Sequence, residues 1–145
     1  MDSFIERVDV WSASIPDKTG GLSWLLKGMD EAGADFNFVI ARRTPENPGS
    51  GVVFVTPIRG DREVEAASTL GFSLTSSVDA VCFEADNKPG ATARLTGLIA
   101  DAGINIRGLS VAVIGTRFVA YIGFDSTNDA ETAIGVLQDA NAGVI

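Results

Sequence analysis

The chain has 145 residues, a formal charge of −8 and an isoelectric point near 4.4. It can bury one ordinary core or two small ones, but it has no surface built to neutralise phosphates, which excludes nucleic acid as an expected partner. Its Lys and Arg residues are scattered, and the adjacent pair Arg42 and Arg43, beside a Pro/Gly loop, reads as a solvated strand end. Residues Met1 to Arg7 are mixed in charge and lack an apolar core, so no secretory signal is expected. No apolar run approaches the roughly 18 residues of a membrane span, so no membrane partner is expected either. The lone Cys82 cannot close an internal disulfide and suits a reducing cytoplasm. An apolar content of 46% is high for an acidic chain and hints at a surface covered by a second copy.

Shifting the sequence by 70 positions brings it into register with itself. Val8 and Asp9 fall on Val78 and Asp79, Lys18 on Lys88, Gly20 on Gly90, Leu25 on Leu95, and Ala32-Gly33 on Ala102-Gly103. The matches run in order without a gap and land on turn glycines and apolar helix positions, which indicates duplication. The expected boundaries are residues 1–77 for the first module and 78–145 for the second.

Within each module the hydrophobic period switches in the same order. Val8 to Ile15 and Val78 to Ala85 read as first strands. Tight turns follow, and Leu22, Leu25, Leu26, Met29 and Ala32 then fall at helical spacing, as do Leu95, Leu98, Ile99 and Ala102. Gly33 and Gly103 stop these helices. Asp35 to Arg43 and Ile104 to Ile114 are second strands, each paired with a following apolar run, Gly51 to Ile58 and Arg117 to Phe124. A second helix begins near Asp61 in the first module. In the second it begins near Asn128, where Asn128 and Glu131 stand at capping-box spacing and Ala130, Ala133, Ile134 and Leu137 form the buried stripe. Phe72 to Ser77 supplies a closing strand for the first module, whereas Gly143-Val144-Ile145 leaves little for the second. The expected fold class is α+β, two ferredoxin-like βαββαβ modules with antiparallel sheets and both helices on one face.

The turn Asp17-Lys18-Thr19-Gly20-Gly21-Leu22, repeated as Asn87-Lys88-Pro89-Gly90-Ala91, resembles the D-x-P-G-x-L entry to the first helix of an ACT domain. Ala102-Gly103-Ile104-Asn105-Ile106 is similar to the A-G-I-N-I exit of that helix, with Ala32-Gly33-Ala34-Asp35-Phe36 as its diverged counterpart. The resemblance spans residues 8 to 140. Thr19 departs from the usual proline, Asn87 from the aspartate and Asp35 from the asparagine. The resemblance implies a small stand-alone tandem ACT protein that binds an amino acid or other small ligand at an inter-module or dimer interface. It implies no cofactor, no metal and no catalysis, and it implies a homodimer acting as a sensor or through a partner enzyme or regulator.

The residues supply their own reason. The first turn of a helix offers N–H groups without internal partners and a partial positive charge, so a carboxylate is favoured there. Glycine at 20, 21 or 90 permits close approach to the backbone. Lys18 and Lys88 add charge-assisted contacts, while Asp35, Asn37 or Asn105 offer acceptors to an ammonium group. The candidate ligand residues are Asp17, Lys18, Thr19, Gly20, Gly21, Leu22, Asp35 and Asn37 in the first module. In the second they are Asn87, Lys88, Pro89, Gly90, Ala91, Asn105 and Ile106. Asp17 and Asn87 also stand where they would cap their helices. The second module, with its Pro-Gly turn and Asn105, is expected to dominate binding, and Trp11 and Trp24 read as core or interface fillers.

Two rival classes fit less well. An enzyme lacks its commonest general base, because the chain has no histidine. An RNA-recognition module would display basic and aromatic residues on its central strands, and Gly51 to Val55 and Arg117 to Tyr121 lack that signature. A ligand-independent regulatory subunit, bound to an enzyme or transcription factor, is the alternative that pattern alone leaves open.

Overall fold

A computed structural model describes residues 3–75 and 78–140. In chain order the elements are β1 (Phe4–Val8), β2 (Trp11–Pro16), α1 (Gly21–Glu31), β3 (Phe38–Arg43), β4 (Ser50–Thr56) and α2 (Gly60–Leu70). They continue as β5 (Ser73–Leu74), β6 (Asp79–Asp86), α3 (Ala91–Asp101), β7 (Gly108–Ile114), β8 (Arg117–Phe124) and α4 (Thr127–Ala140). Among the described residues no helix is long and apolar enough to cross a membrane.

Residues Asp9–Thr75 form one compact unit. Its antiparallel sheet has the order β3-β4-β2-β5, so the first and third strands of the βαββαβ unit are central. Alternation along β4 sends Val53 and Val55 inward with Ala13 of β2, against Leu25 and Met29 of α1 and Ala67 of α2. The expected helical stripe is the buried one. The closing strand is shorter than expected, since only Ser73 and Leu74 pair, with Ser12 and Trp11, and Ser76 and Ser77 lie outside the described residues.

The other unit repeats the plan with one substitution of parts. Its sheet has the order β1-β6-β8-β7, and β1, from the start of the chain, takes the edge position that a closing strand would hold. β1 runs antiparallel to β6 with Phe4 opposite Glu84, Ile5 opposite Phe83 and Val8 opposite Ala80. The expected boundary at residues 77 and 78 therefore differs from the observed grouping, in which the strand Phe4–Val8 completes the later module. The expected remnant, Gly143-Val144-Ile145, lies outside the described residues. The physical reason is that β6 would otherwise present unpaired N–H and C=O groups, and the five residues ahead of the repeat meet that need. Arg7 reinforces the register through a 2.6 Å ion pair with Asp79, whose carboxylate also accepts from Thr127 Oγ1 at 3.0 Å.

Ile5, Val81, Phe83, Ala85, Phe118, Ala120, Ile122 and Phe124 form the inner face of this sheet, packed on Leu95, Ile99, Ala130, Ala133 and Leu137 of the helices. Phe83 and Phe118 meet edge to face, with ring centroids 6.2 Å apart and planes at 68°, the arrangement that aromatic quadrupoles favour. Both first helices end alike. Ala34 N–H donates to Met29 C=O and Ile104 N–H to Ile99 C=O, while Gly33 and Gly103 take the left-handed conformation that this exit requires. The last helix differs from expectation at its start. Ser126, not Asn128, caps it, its hydroxyl accepting from Asp129 N–H at 3.0 Å, because the helix begins at Thr127 and places Asn128 inside the first turn.

Removal of residues 1–8 should speed amide exchange at the β1-facing positions of β6, with β2 to β4 keeping their protection; unchanged exchange in β6 would contradict the pairing. Phe83→Ala should lower unfolding free energy by about 3–5 kcal/mol in urea titrations, the usual cost of emptying a fully buried aromatic site.

Candidate functional site

The two glycine turns share a backbone and differ in their side chains. In the first, Gly20 sits at φ 87° and ends the turn as the N-cap of α1. Gly21 N–H donates to Lys18 C=O at 3.1 Å and Trp24 N–H to Gly20 C=O at 2.9 Å. In the second, Gly90 sits at φ 84°, Ala91 N–H donates to Lys88 C=O at 3.1 Å and Arg94 N–H to Gly90 C=O at 3.0 Å. No side chain caps either helix. Asp17 and Asn87, expected as caps, stand three residues before the cap position. Each instead donates its backbone N–H to the neighbouring hairpin loop, at Gly49 and Thr116 respectively. Gly21 is needed for space, since a Cβ there would stand 2.8 Å from the Pro16 carbonyl oxygen.

Around the first turn lie two clefts within the same unit. One, of about 210 Å³, is lined by Ile15, Asp17, Lys18, Leu22, Arg42 and Arg43 among others. The other, of about 470 Å³, is lined by Pro16, Lys18, Thr19, Gly20, Gly21 and Trp24. Asp17 turns its carboxylate to Arg43, whose Nε approaches Oδ2 at 2.9 Å. Lys18, Arg42 and Arg43 against Asp17 leave the smaller cleft with an excess of two positive charges, in a chain whose total is −8. Arg42 and Arg43 are exposed at a strand end, as their sequence context suggests, and the antiparallel pairing of β3 with β4, a tertiary fact, carries that end to the turn. Trp24 is 66% exposed, so of its two expected roles, core or interface filler, the first is corrected, and it forms one wall of the larger cleft.

At the second turn the residue in the position of Trp24 is Arg94, 70 positions on. Its Nη1 donates to Pro89 C=O at 3.0 Å and lies 3.0 Å from where a Cβ on Gly90 would be. The guanidinium thus covers the face of the turn that Gly20 leaves open, where nothing lies within 4 Å of the same construction. Lys88 and Asn87 are exposed beside it. Within the first module, the helix exit at Asp35 and Asn37 lines neither cleft. Asp35, Asn37 and Asn105 are exposed, Asn37 N–H donates to Thr56 C=O at 2.9 Å, and Ile106 packs against the core of its own unit. The structure therefore gathers Asp17, Lys18, Thr19, Gly20, Gly21 and Leu22, and adds Pro16, Trp24, Arg42 and Arg43.

Cys82 is buried, and its cross-strand neighbours are Glu6 and Tyr121. Burial pushes its thiol up to about 11, the Tyr121 hydrogen bond pulls the other way, and Glu84 and Glu6 add to the rise. Tyr121 is likewise raised, by burial first and then by Cys82. Such a thiol is protonated at neutral pH and is no nucleophile. Among the described residues no three His, Cys, Asp or Glu side chains gather as a metal site.

The two units define a tandem of ferredoxin-like modules with paired glycine turns. Residues 81–141, within the second, match the family model of the ACT domain. No curated protein sequence matches the chain. Among solved structures, protein BT0572 from Bacteroides thetaiotaomicron superposes with a TM-score of 0.77 at 17% identity, over 94% of this chain and 90% of that one. The ligand-free regulatory subunit of aspartate kinase from Thermus thermophilus gives 0.66 at 18% identity, over 97% of both chains. Aspartate kinase from Clostridium acetobutylicum gives 0.60 at 12%, over 95% of this chain and 34% of that longer one. At these identities the likeness shows the fold alone, a tandem of ferredoxin-like modules.

Gly20→Ala should cost about 1 kcal/mol in urea unfolding, from strain in the left-handed region, and Gly20→Asn less. Gly21→Ala should cost more than Gly20→Ala, because the Pro16 carbonyl must move. Cys82 in the folded chain should resist alkylation at pH 7. The folded thiol holds its proton to about pH 11 and the unfolded one releases it near 9.0, so this group leaves stability unchanged below pH 9 and lowers it as pH rises between the two values. A flat stability profile through that window, or fast labelling at pH 7, would contradict the burial.

Proposed function

We propose that the chain is a regulatory protein whose first module binds an amino acid at the Gly20-Gly21 turn. The observation that carries this reading is the local excess of two positive charges around an uncapped helix start, in a protein of strongly negative total charge. The α-carboxylate is received by the first-turn N–H groups of α1, with Lys18 and Arg42 as charge-assisted donors. Asp17, shared with Arg43, is the acceptor for the ammonium group, and the side chain of the ligand lies toward Pro16 and Trp24. The geometry favours the first module over the second, because Arg94 already occupies the corresponding space above Gly90. The solved structures named as regulatory subunits of aspartate kinase support a regulatory role for this fold. The free, protonated Cys82 thiol suits a cytoplasmic setting.

A second reading makes the chain a ligand-independent subunit, with Trp24 as an anchor for a partner enzyme or regulator. The 66% exposure of Trp24 favours it, since exposed tryptophans are enriched at interface hot spots. Isothermal calorimetry of the isolated chain against a full panel of proteinogenic amino acids separates the two. Binding of one ligand per chain, with a change in Trp24 fluorescence, is the expected result. Lys18→Ala or Arg42→Ala should weaken affinity about tenfold, the loss of one charge-assisted hydrogen bond, and Lys88→Ala should leave it unchanged. No heat and no thermal shift with any member of the panel would refute the sensor reading.

A further inference from the structure

The larger cleft at the first turn differs in chemistry from the charged one beside it. Among the described residues it is lined by Pro16, Lys18, Thr19, Gly20, Gly21 and Trp24, which bring two ring systems, one cation and no carboxylate. Trp24 is 66% exposed, although an indole is among the largest apolar surfaces a side chain offers and is ordinarily well covered in a folded chain. Covering it from water is favourable, and within the cleft no side chain does so. Gly20 contributes no side chain, and nothing stands within 4 Å of where its Cβ would be, so a flat group can lie on its backbone. Pro16 and Lys18 line both clefts, which therefore adjoin. The smaller holds about 210 Å³ and the larger about 470 Å³. A ligand with a compact charged head and a large apolar body fits such a pair.

We infer that the ligand is an amino acid with an aromatic side chain, and that Trp24 selects it; this rests on the reading that the Gly20-Gly21 turn binds an amino acid. The charged head is held in the smaller cleft and the ring lies against the Trp24 indole in the larger one. Each other class of side chain meets an obstacle there. A cationic side chain would approach the Lys18 ammonium without a counter-ion, since Asp17 lines the smaller cleft and is held by Arg43 at 2.9 Å. An acidic one would leave water to lie beside Pro16 and Trp24, a desolvation that one exposed ammonium does not offset. A small one leaves the indole wet. A large aliphatic one covers the indole, but it lacks the offset or edge-to-face attraction that two rings gain beyond buried area. Lys18, on the same cleft, adds a cation–π contribution to an aromatic ligand alone. The second module has no such platform, because Arg94 stands in the place of Trp24 and bonds to the Pro89 carbonyl.

Calorimetry on the full chain with L-phenylalanine, L-leucine, L-alanine, L-lysine and L-aspartate tests this. Phenylalanine should bind tightest, about tenfold more tightly than alanine, and should change the indole emission of the wild type. Trp24→Leu, at an exposed position, should retain the circular dichroism of the fold and bring phenylalanine and alanine within about threefold of each other. Trp24→Phe keeps a ring and should preserve most of the preference. The specificity is overturned, with the amino-acid site left standing, by any of four results. These are another member of the set binding as tightly as phenylalanine, a preference that survives Trp24→Leu, Trp24→Phe behaving as Trp24→Leu does, or indole emission indifferent to bound phenylalanine. Absence of binding by every amino acid overturns the site and the specificity together.

Discussion

Backbone amides and carbonyls at the margin of a sheet must find partners or be defended from chance ones, and much of this molecule answers that requirement. The second module carries βαββα in continuous sequence, which leaves one side of β6 open. β1 closes it from the start of the chain, with the Arg7–Asp79 ion pair bridging 72 residues of sequence. Each unit thereby reaches the same four-strand order, although one is continuous in sequence and the other is assembled from two stretches. Loop-closure entropy grows slowly with length, so this distant pairing costs little more than a local hairpin of moderate size. It does raise the share of non-local contacts, the feature that slows folding of β-rich proteins.

The duplicated turns show how a backbone can be kept while its chemistry is reassigned. Gly20 and Gly90 adopt nearly the same φ, the same hydrogen bonds enter the helix, and neither helix is capped. The side chains around them diverge. Asp17 corresponds to Asn87, Thr19 to Pro89, Gly21 to Ala91 and Trp24 to Arg94 in the repeat. In the second turn the arginine bonds to the Pro89 carbonyl and fills the approach to the glycine. In the first, the tryptophan stands clear and the approach is open. One turn is thus covered by its own chain, and the other is presented to solvent with cations around it.

Charge has a similar division of labour. The total of −8 disfavours association with polyanions. Against that background, a small positive region at the first turn stands out to any carboxylate. Its members come from β2, the following turn and the end of β3, and the helix start adds its partial charge.

Much of the architecture was legible in the amino-acid order. The register of 70 residues revealed the duplication, and the apolar stripes of α1, α3 and α4 followed from helical spacing. The exits at Gly33 and Gly103 were legible because a left-handed residue after an apolar helix has a strong chemical preference for glycine. These are local signals, written in periods of two or 3.6 residues and in turns of a few positions. The tertiary structure alone decided the rest. Partnership of β1 with β6 leaves no period in sequence, because Phe4 to Val8 would read the same beside any strand. Asp17 became the partner of Arg43 rather than a cap, Arg42 and Arg43 joined a cleft, and Trp24 faced solvent, because strand pairing and helix docking bring together residues that are far apart in the chain. Local preference chooses the elements and their ends; the placing of side chains from separate elements depends on packing, and packing is the property that sequence spacing does not record.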